Sequence, residues 1–130
     1  MAIAMSGGLS GIIVYEAGTN GNWHDLLSRM ADDNLAQQLS CSWYVTNGAP
    51  PDPVSEGLFE QMAAQGQSMF VASGDSDAMP QSTNFDYPEG SPHATVVGGT
   101  VLTTSGAPGS YMSESVWNLN VPCLSGCLPK

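Results

Sequence analysis

The stretch Ser73-Gly74-Asp75-Ser76-Asp77 ends an apolar run with two small residues and sets a carboxyl group just beyond it. Such a group donates a hydrogen bond when protonated, accepts when ionised, or simply caps a turn, because Asp is among the commonest turn residues. A second stretch, Ser40-Cys41-Ser42-Trp43-Tyr44, ends another apolar run in hydroxyls and large aromatics. That composition suits either a cleft wall or an aromatic cluster at a sheet end. His24 falls on the polar side of a helical pattern and His93 precedes a strand, so both read as surface or packing histidines rather than bases. No Gly-x-Ser-x-Gly elbow occurs, and Gly7-Gly8-x-x-Gly11 comes before a strand rather than between strand and helix, which argues against a phosphate cradle. Cys41, Cys123 and Cys127 are odd in number, and the last two lack further His or Cys ligands nearby. A tail disulfide or free thiols are therefore expected there, and no metal is assigned.

The elements that must position these residues alternate. Ile12-Ile13-Val14-Tyr15 is β-branched and apolar and predicts a buried strand. Asn22 reads as an N-cap, followed by Trp23, Leu26, Leu27, Met30 and Leu35 at helical spacing, with Asp25 placed to complement the helix dipole. Leu39 to Val45 predicts the next strand. Asp52-Pro53 is cap and first residue of a second helix, with Val54, Leu58, Phe59, Met62 and Ala63 as its apolar face and Gly66 as its stop. Residues 68–73 predict a third strand, 74–92 a long surface loop, and 94–102 a further strand with a glycine break. Strand, helix, strand, helix, strand implies an α/β fold, a parallel sheet with flanking helices. Asp75 then leaves the carboxyl end of a strand, where ligands bind in open α/β sheets.

Composition narrows the function classes. The 130 residues carry 2 Lys plus Arg against 12 Asp plus Glu, a net charge of −10. Only Arg29 and Lys130 could neutralise phosphates, which excludes nucleic acid and anionic membrane surfaces as partners. Hydrophobic residues at 42% supply a modest core for one domain. No run approaches the apolar length of a membrane span, and no basic segment opens the chain in the manner of an export signal.

Taken in order, several stretches resemble the sedolisins, serine-carboxyl peptidases with a subtilisin-like fold. They are Ile12-Ile13-Val14-Tyr15, Ser40-Cys41-Ser42-Trp43, Ala64-Gln65-Gly66, Ala72-Ser73-Gly74-Asp75-Ser76, the run from Ser91 to Leu102, and Glu114-Ser115-Val116-Trp117-Asn118. The resemblance covers residues 1–118 as a partial peptidase domain and leaves 119–130 as a divergent C-terminal tail. It implies that Asp75 takes the oxyanion-hole place, and that Ser42, Trp43 and Tyr44 along the cleft, with Ser73 and Gly74 beside Asp75, bind a peptide or protein substrate. Only the protonated acid could donate to an oxyanion, so the implied site needs acid or a raised pKa. Tyr44 stands where the family often has glycine, and Asp77 likewise, so groove width and loop geometry depart from the pattern there.

The same resemblance implies a nucleophile in Gly-Thr-Ser-x-x-x-Pro and a Glu-x-x-x-Asp pair, and this sequence contains neither. Gly98-Gly99-Thr100 is followed by Val101 and matches an earlier strand of the family. The family's calcium-binding stretch has no counterpart here, so no cofactor is assigned. The expectation is an internal piece of an acid serine-type endopeptidase, inactive alone, with the remainder of the domain as a possible partner and a parent that is secreted or housed in an acidic compartment. The competing expectation is a non-catalytic peptide-binding module.

Overall fold

The computed structural model describes residues 6–43, 52–75 and 87–118. Helix α1, Trp23–Asp33, starts at Asn22, whose side chain accepts from the His24 backbone N–H at 2.9 Å. It ends at Asn34, whose left-handed backbone (φ 43°) halts the helix and leaves Leu35 outside it and exposed. Strand β1 is Gln38–Cys41, shorter than the sequence suggests; Tyr44 and Val45 lie outside the described residues. Helix α2, Pro53–Ala64, is capped by Asp52, with proline in the first turn as expected. Gly66, at φ +85°, supplies the turn that leads to β2, Ser68–Ala72.

Strand β3, Ala94–Val97, completes a parallel sheet in the order β1-β2-β3. Cys41 aligns with Val71, and Ala72 with Val97. Among the described residues the fold is therefore α/β, with a parallel sheet and two helices. Leu39, Met69 and Val71 point to one side of the sheet and pack with Leu27, Met30, Ala31, Phe59, Met62 and Tyr87. Burying a side chain as large as Leu27 or Phe59 contributes roughly 1.5–3 kcal/mol.

The expected strand at Ile12–Tyr15 is not formed. The segment makes no ladder, and Ile12, Ile13 and Val14 are exposed, with Val14 at 71%. An apolar β-branched run becomes a strand only where a neighbour offers its backbone groups. Among the described residues β1 pairs with β2 alone. Tyr15 still packs on the core, and its hydroxyl donates to Asp33 at 3.3 Å. On α2, Val54 and Ala63 face solvent, while Ser55, Phe59 and Met62 form the buried side.

The surface-loop reading of 74–92 is also corrected at its far end, because Tyr87, Pro88 and Ser91 are buried, Tyr87 to 2% exposure. Tyr87 stacks on Phe59 with ring centroids 6.2 Å apart. Beyond the Gly98-Gly99 break, β4 (Thr100–Thr104) pairs antiparallel with β5 (Tyr111–Val116) as a separate hairpin that the serine-rich sequence hides. All its strand residues are exposed.

Two glutamines tie the end of α1 to the α2–β2 connection. Gln67, buried, donates through Nε2 to the carbonyl of Ala36 at 2.8 Å and of Met30 at 3.4 Å. Gln65 donates to the Ala31 carbonyl at 2.7 Å. The Met30 and Ala31 carbonyls belong to the set that a helix C-terminus leaves without partners of its own, and Ala36 follows just after the helix.

Candidate functional site

The parallel register sets the carboxyl ends of all three strands along one edge. Ser42 and Trp43 follow β1, Ser73, Gly74 and Asp75 follow β2, and Gly98 and Gly99 follow β3. β2 is the middle strand, so Asp75 leaves the sheet at its centre. The Ser73 backbone N–H donates to the Val97 carbonyl at 3.1 Å, which extends the ladder one residue past β2. Gly74 then turns with φ +88°, a conformation that glycine adopts without the strain a Cβ brings.

Asp75 is exposed and is held from the hairpin. The Trp117 indole Nε1–H donates to Asp75 Oδ1 at 2.7 Å. Trp117 is itself fixed by its backbone N–H, which donates to the Gly99 carbonyl at 3.0 Å. A Cβ on Gly99 would lie 3.1 Å from the Trp117 Cβ, so the missing side chain is what lets the tryptophan sit against this turn. Glu89 is the other carboxyl at this edge; its Oε1 lies 4.0 Å from the Cβ position at Gly74. Sequence reasoning singled out Asp75 but not Trp117, whose partner is 42 residues away.

On the β1 side, Trp43 is 79% exposed at the end of β1, an edge strand among the described residues. Its backbone N–H donates to Cys41 Sγ at 3.4 Å, and Cys41 is a free thiol. Thus the structure brings Ser42, Trp43, Ser73, Gly74 and Asp75 to one sheet edge, while Tyr44 and Asp77 lie outside the described residues. Cys123 and Cys127 also lie outside them. A shallow groove lined by Tyr15, Asp25, Leu26 and Arg29 sits beside α1 and includes none of the edge residues.

A second polar cluster joins the helix N-termini. His24 Nε2 meets Asp52 Oδ2, Ser55 Oγ donates to the same oxygen at 2.8 Å, and Trp23 Nε1 donates to Ser55 Oγ at 2.9 Å. The His24 contact and then the Ser55 hydroxyl hold the Asp52 carboxyl down to about 2, against the opposing effect of desolvation. His, Ser and Asp are all present, yet His24 and Ser55 both bind the carboxylate, and Ser55 is fully buried. A triad needs the histidine on the serine, so this cluster is structural. Position 93 is exposed, in keeping with its reading as a surface histidine.

With this geometry in place, comparison with known proteins is informative. The chain is 32% identical over 105 residues to sedolisin of Pseudomonas sp. (strain 101), and 28% identical over 119 residues to xanthomonalisin of Xanthomonas sp. (strain T-22). Each match takes in 70% of this chain. It spans 18% of the length of the first relative and 14% of the second. No family model matches the chain. The sequence is sedolisin-like, related over most of its length to a section of these longer proteins.

Proposed function

We propose that this chain is a section of a sedolisin-like serine-type endopeptidase domain with a subtilisin-like fold, in which Asp75 stabilises the oxyanion formed as the peptide bond is attacked. The observation that carries this reading is the placement of Asp75 just past the carboxyl end of the middle strand of a parallel sheet. The relatives' identity adds the peptidase origin. A protonated Asp75 carboxyl donates to the developing negative charge, as an amide or backbone N–H does in other oxyanion holes. The parent works in acid, where that proton is present, and is secreted. Among the described residues no helix is long and apolar enough to cross a membrane. A chain with so few cations also gains little positive charge when its carboxyls protonate.

The nucleophilic serine and its Glu and Asp partners come from outside the sequence in hand, so the chain alone does not turn over peptides. The test has two arms. The isolated chain is incubated with an unstructured protein substrate at about pH 3–5, the range in which carboxyls protonate, and no cleavage is expected. The matching section of Pseudomonas sedolisin is then replaced by this sequence, and Asp75→Ala in the chimera is expected to lower kcat by about 10²–10³, the size of one lost oxyanion donor. Cleavage by the chain alone that vanishes in Asp75→Ala overturns the fragment reading. A chimera indifferent to Asp75→Ala overturns the oxyanion role.

One observation favours a second reading. Trp43 stands exposed at the end of edge strand β1, an arrangement suited to an extended peptide that adds to the sheet. A non-catalytic peptide-binding module predicts saturable binding of unstructured peptides without cleavage, lost in Trp43→Ala.

A further inference from the structure

We propose that Trp117 is a positioning residue for Asp75: its indole N–H holds Oδ1 and thereby assigns the carboxyl proton to Oδ2. The role rests on the oxyanion reading of Asp75, while the contact itself does not. An indole nitrogen is a donor only. It bonds Oδ1 as acceptor when Asp75 is ionised, and in the acid form the carbonyl oxygen is a far better acceptor than the hydroxyl oxygen, so the indole favours the form in which Oδ1 carries no proton. The acid form accordingly carries its proton on Oδ2 and leaves that oxygen as the donor.

Three observations make this a built arrangement rather than a passing contact. The bond is short, at 2.7 Å. The Trp117 backbone is anchored by its own hydrogen bond to Gly99, at 3.0 Å. The indole packs where Gly99 has no side chain, with the Cβ position 3.4 Å from the Trp117 Cγ. Without the indole, the carboxyl group of an exposed Asp rotates freely and presents its proton in either direction. Preorganised donors stabilise a transition state better than donors that must be oriented during the reaction.

The test reads the contact in the full chain by NMR, so that its failure is separate from failure of the oxyanion reading, which the chimera's turnover decides. The chain is labelled with ¹⁵N, and the indole resonances of Trp23, Trp43 and Trp117 are assigned by Trp→Phe replacement. They are followed from about pH 7 to pH 3, a span that covers carboxyl titration. The Trp117 N–H signal is expected at low field and to move upfield in one step as Asp75 protonates. The low-field position is lost in Asp75→Ala. In Asp75→Asn, whose amide oxygen still accepts, the low-field position returns and the step disappears. Glu89→Gln, which removes the neighbouring carboxyl, leaves the step in place. The Trp23 signal, bonded to buried Ser55, stays fixed across the variants and reports an intact fold. A Trp117 resonance unmoved by Asp75→Ala, or a step that persists in Asp75→Asn, overturns the proposal.

Discussion

His24 and Asp52 join the first turn of α1 to the cap of α2, so one carboxylate serves a helix N-terminus and an inter-helix bond together. The Asp52 carboxylate accepts from the backbone N–H groups of Val54 and Ser55, each at 3.3 Å, while the imidazole approaches from a helix 28 residues earlier.

Removal of this carboxylate destabilises both helix starts. Asp52→Ala is expected to cost about 1–2 kcal/mol, the usual range for a lost N-cap, measured by urea unfolding near neutral pH. The difference between wild type and variant depends on pH. Because the folded carboxyl is lowered from 3.8 to about 2, its contribution is complete above the ordinary carboxyl range and is lost as pH falls through about 2. The two unfolding curves should therefore converge only below about pH 4, whereas convergence already at pH 6 would exclude the Asp52 carboxylate as the cause.

Tyr87 offers a contrasting change. Its hydroxyl is buried without a hydrogen-bond partner among the described residues, and burial together with the nearby Glu56 charge pushes its pKa upward. Tyr87→Phe keeps the stacking on Phe59 and removes an unsatisfied polar atom. Stability should be unchanged or raised by up to about 1 kcal/mol in thermal denaturation, and a loss of similar size would show that the hydroxyl is bonded after all.

Phe59 is the largest of the fully buried side chains. Phe59→Ala should cost about 3–5 kcal/mol and bring the unfolding midpoint sharply down, as read by circular dichroism.

Gly99→Ala separates stability from site geometry. The new methyl presses on the Trp117 Cβ at 3.1 Å, and the tryptophan, partly exposed, can swing away. The expected result is a stability change below about 1 kcal/mol with a clear shift in Trp117 fluorescence. A spectrum identical to wild type would mean that the indole does not rest on this glycine.

Local chemistry made much of this legible in the sequence. Asn22, Asp52-Pro53 and Gly66 mark helix limits through their own side chains or lack of one, and they stand where expected. Asp75 was visible because a strand that ends in small residues and a carboxyl is itself a local pattern. What escaped depends on distant partners. Ile12–Val14 has strand residues but no ladder, and Leu35 has helical spacing but follows the Asn34 turn. The apolar residues of β5, Tyr111, Met112 and Val116, follow no period of two around Ser113-Glu114-Ser115, so the strand is faint until β4 supplies the pairing. Trp117 enters the sequence reading only within the stretch Glu114–Asn118, because its bond to Asp75 joins two sheets.

The glutamine bridges from the α2–β2 connection have a consequence for the order of unfolding. A helix end usually frays first, exchanging its amide protons with solvent well before the rest of a domain opens. Here the carbonyls of Met30, Ala31 and Ala36 are held by Gln65 and Gln67, residues 31 to 37 positions further along the chain. The end of α1 can loosen only if that connection loosens too, so α1, α2 and β2 should exchange as one cooperative unit, while the solvent-covered β4–β5 hairpin exchanges on its own and earlier.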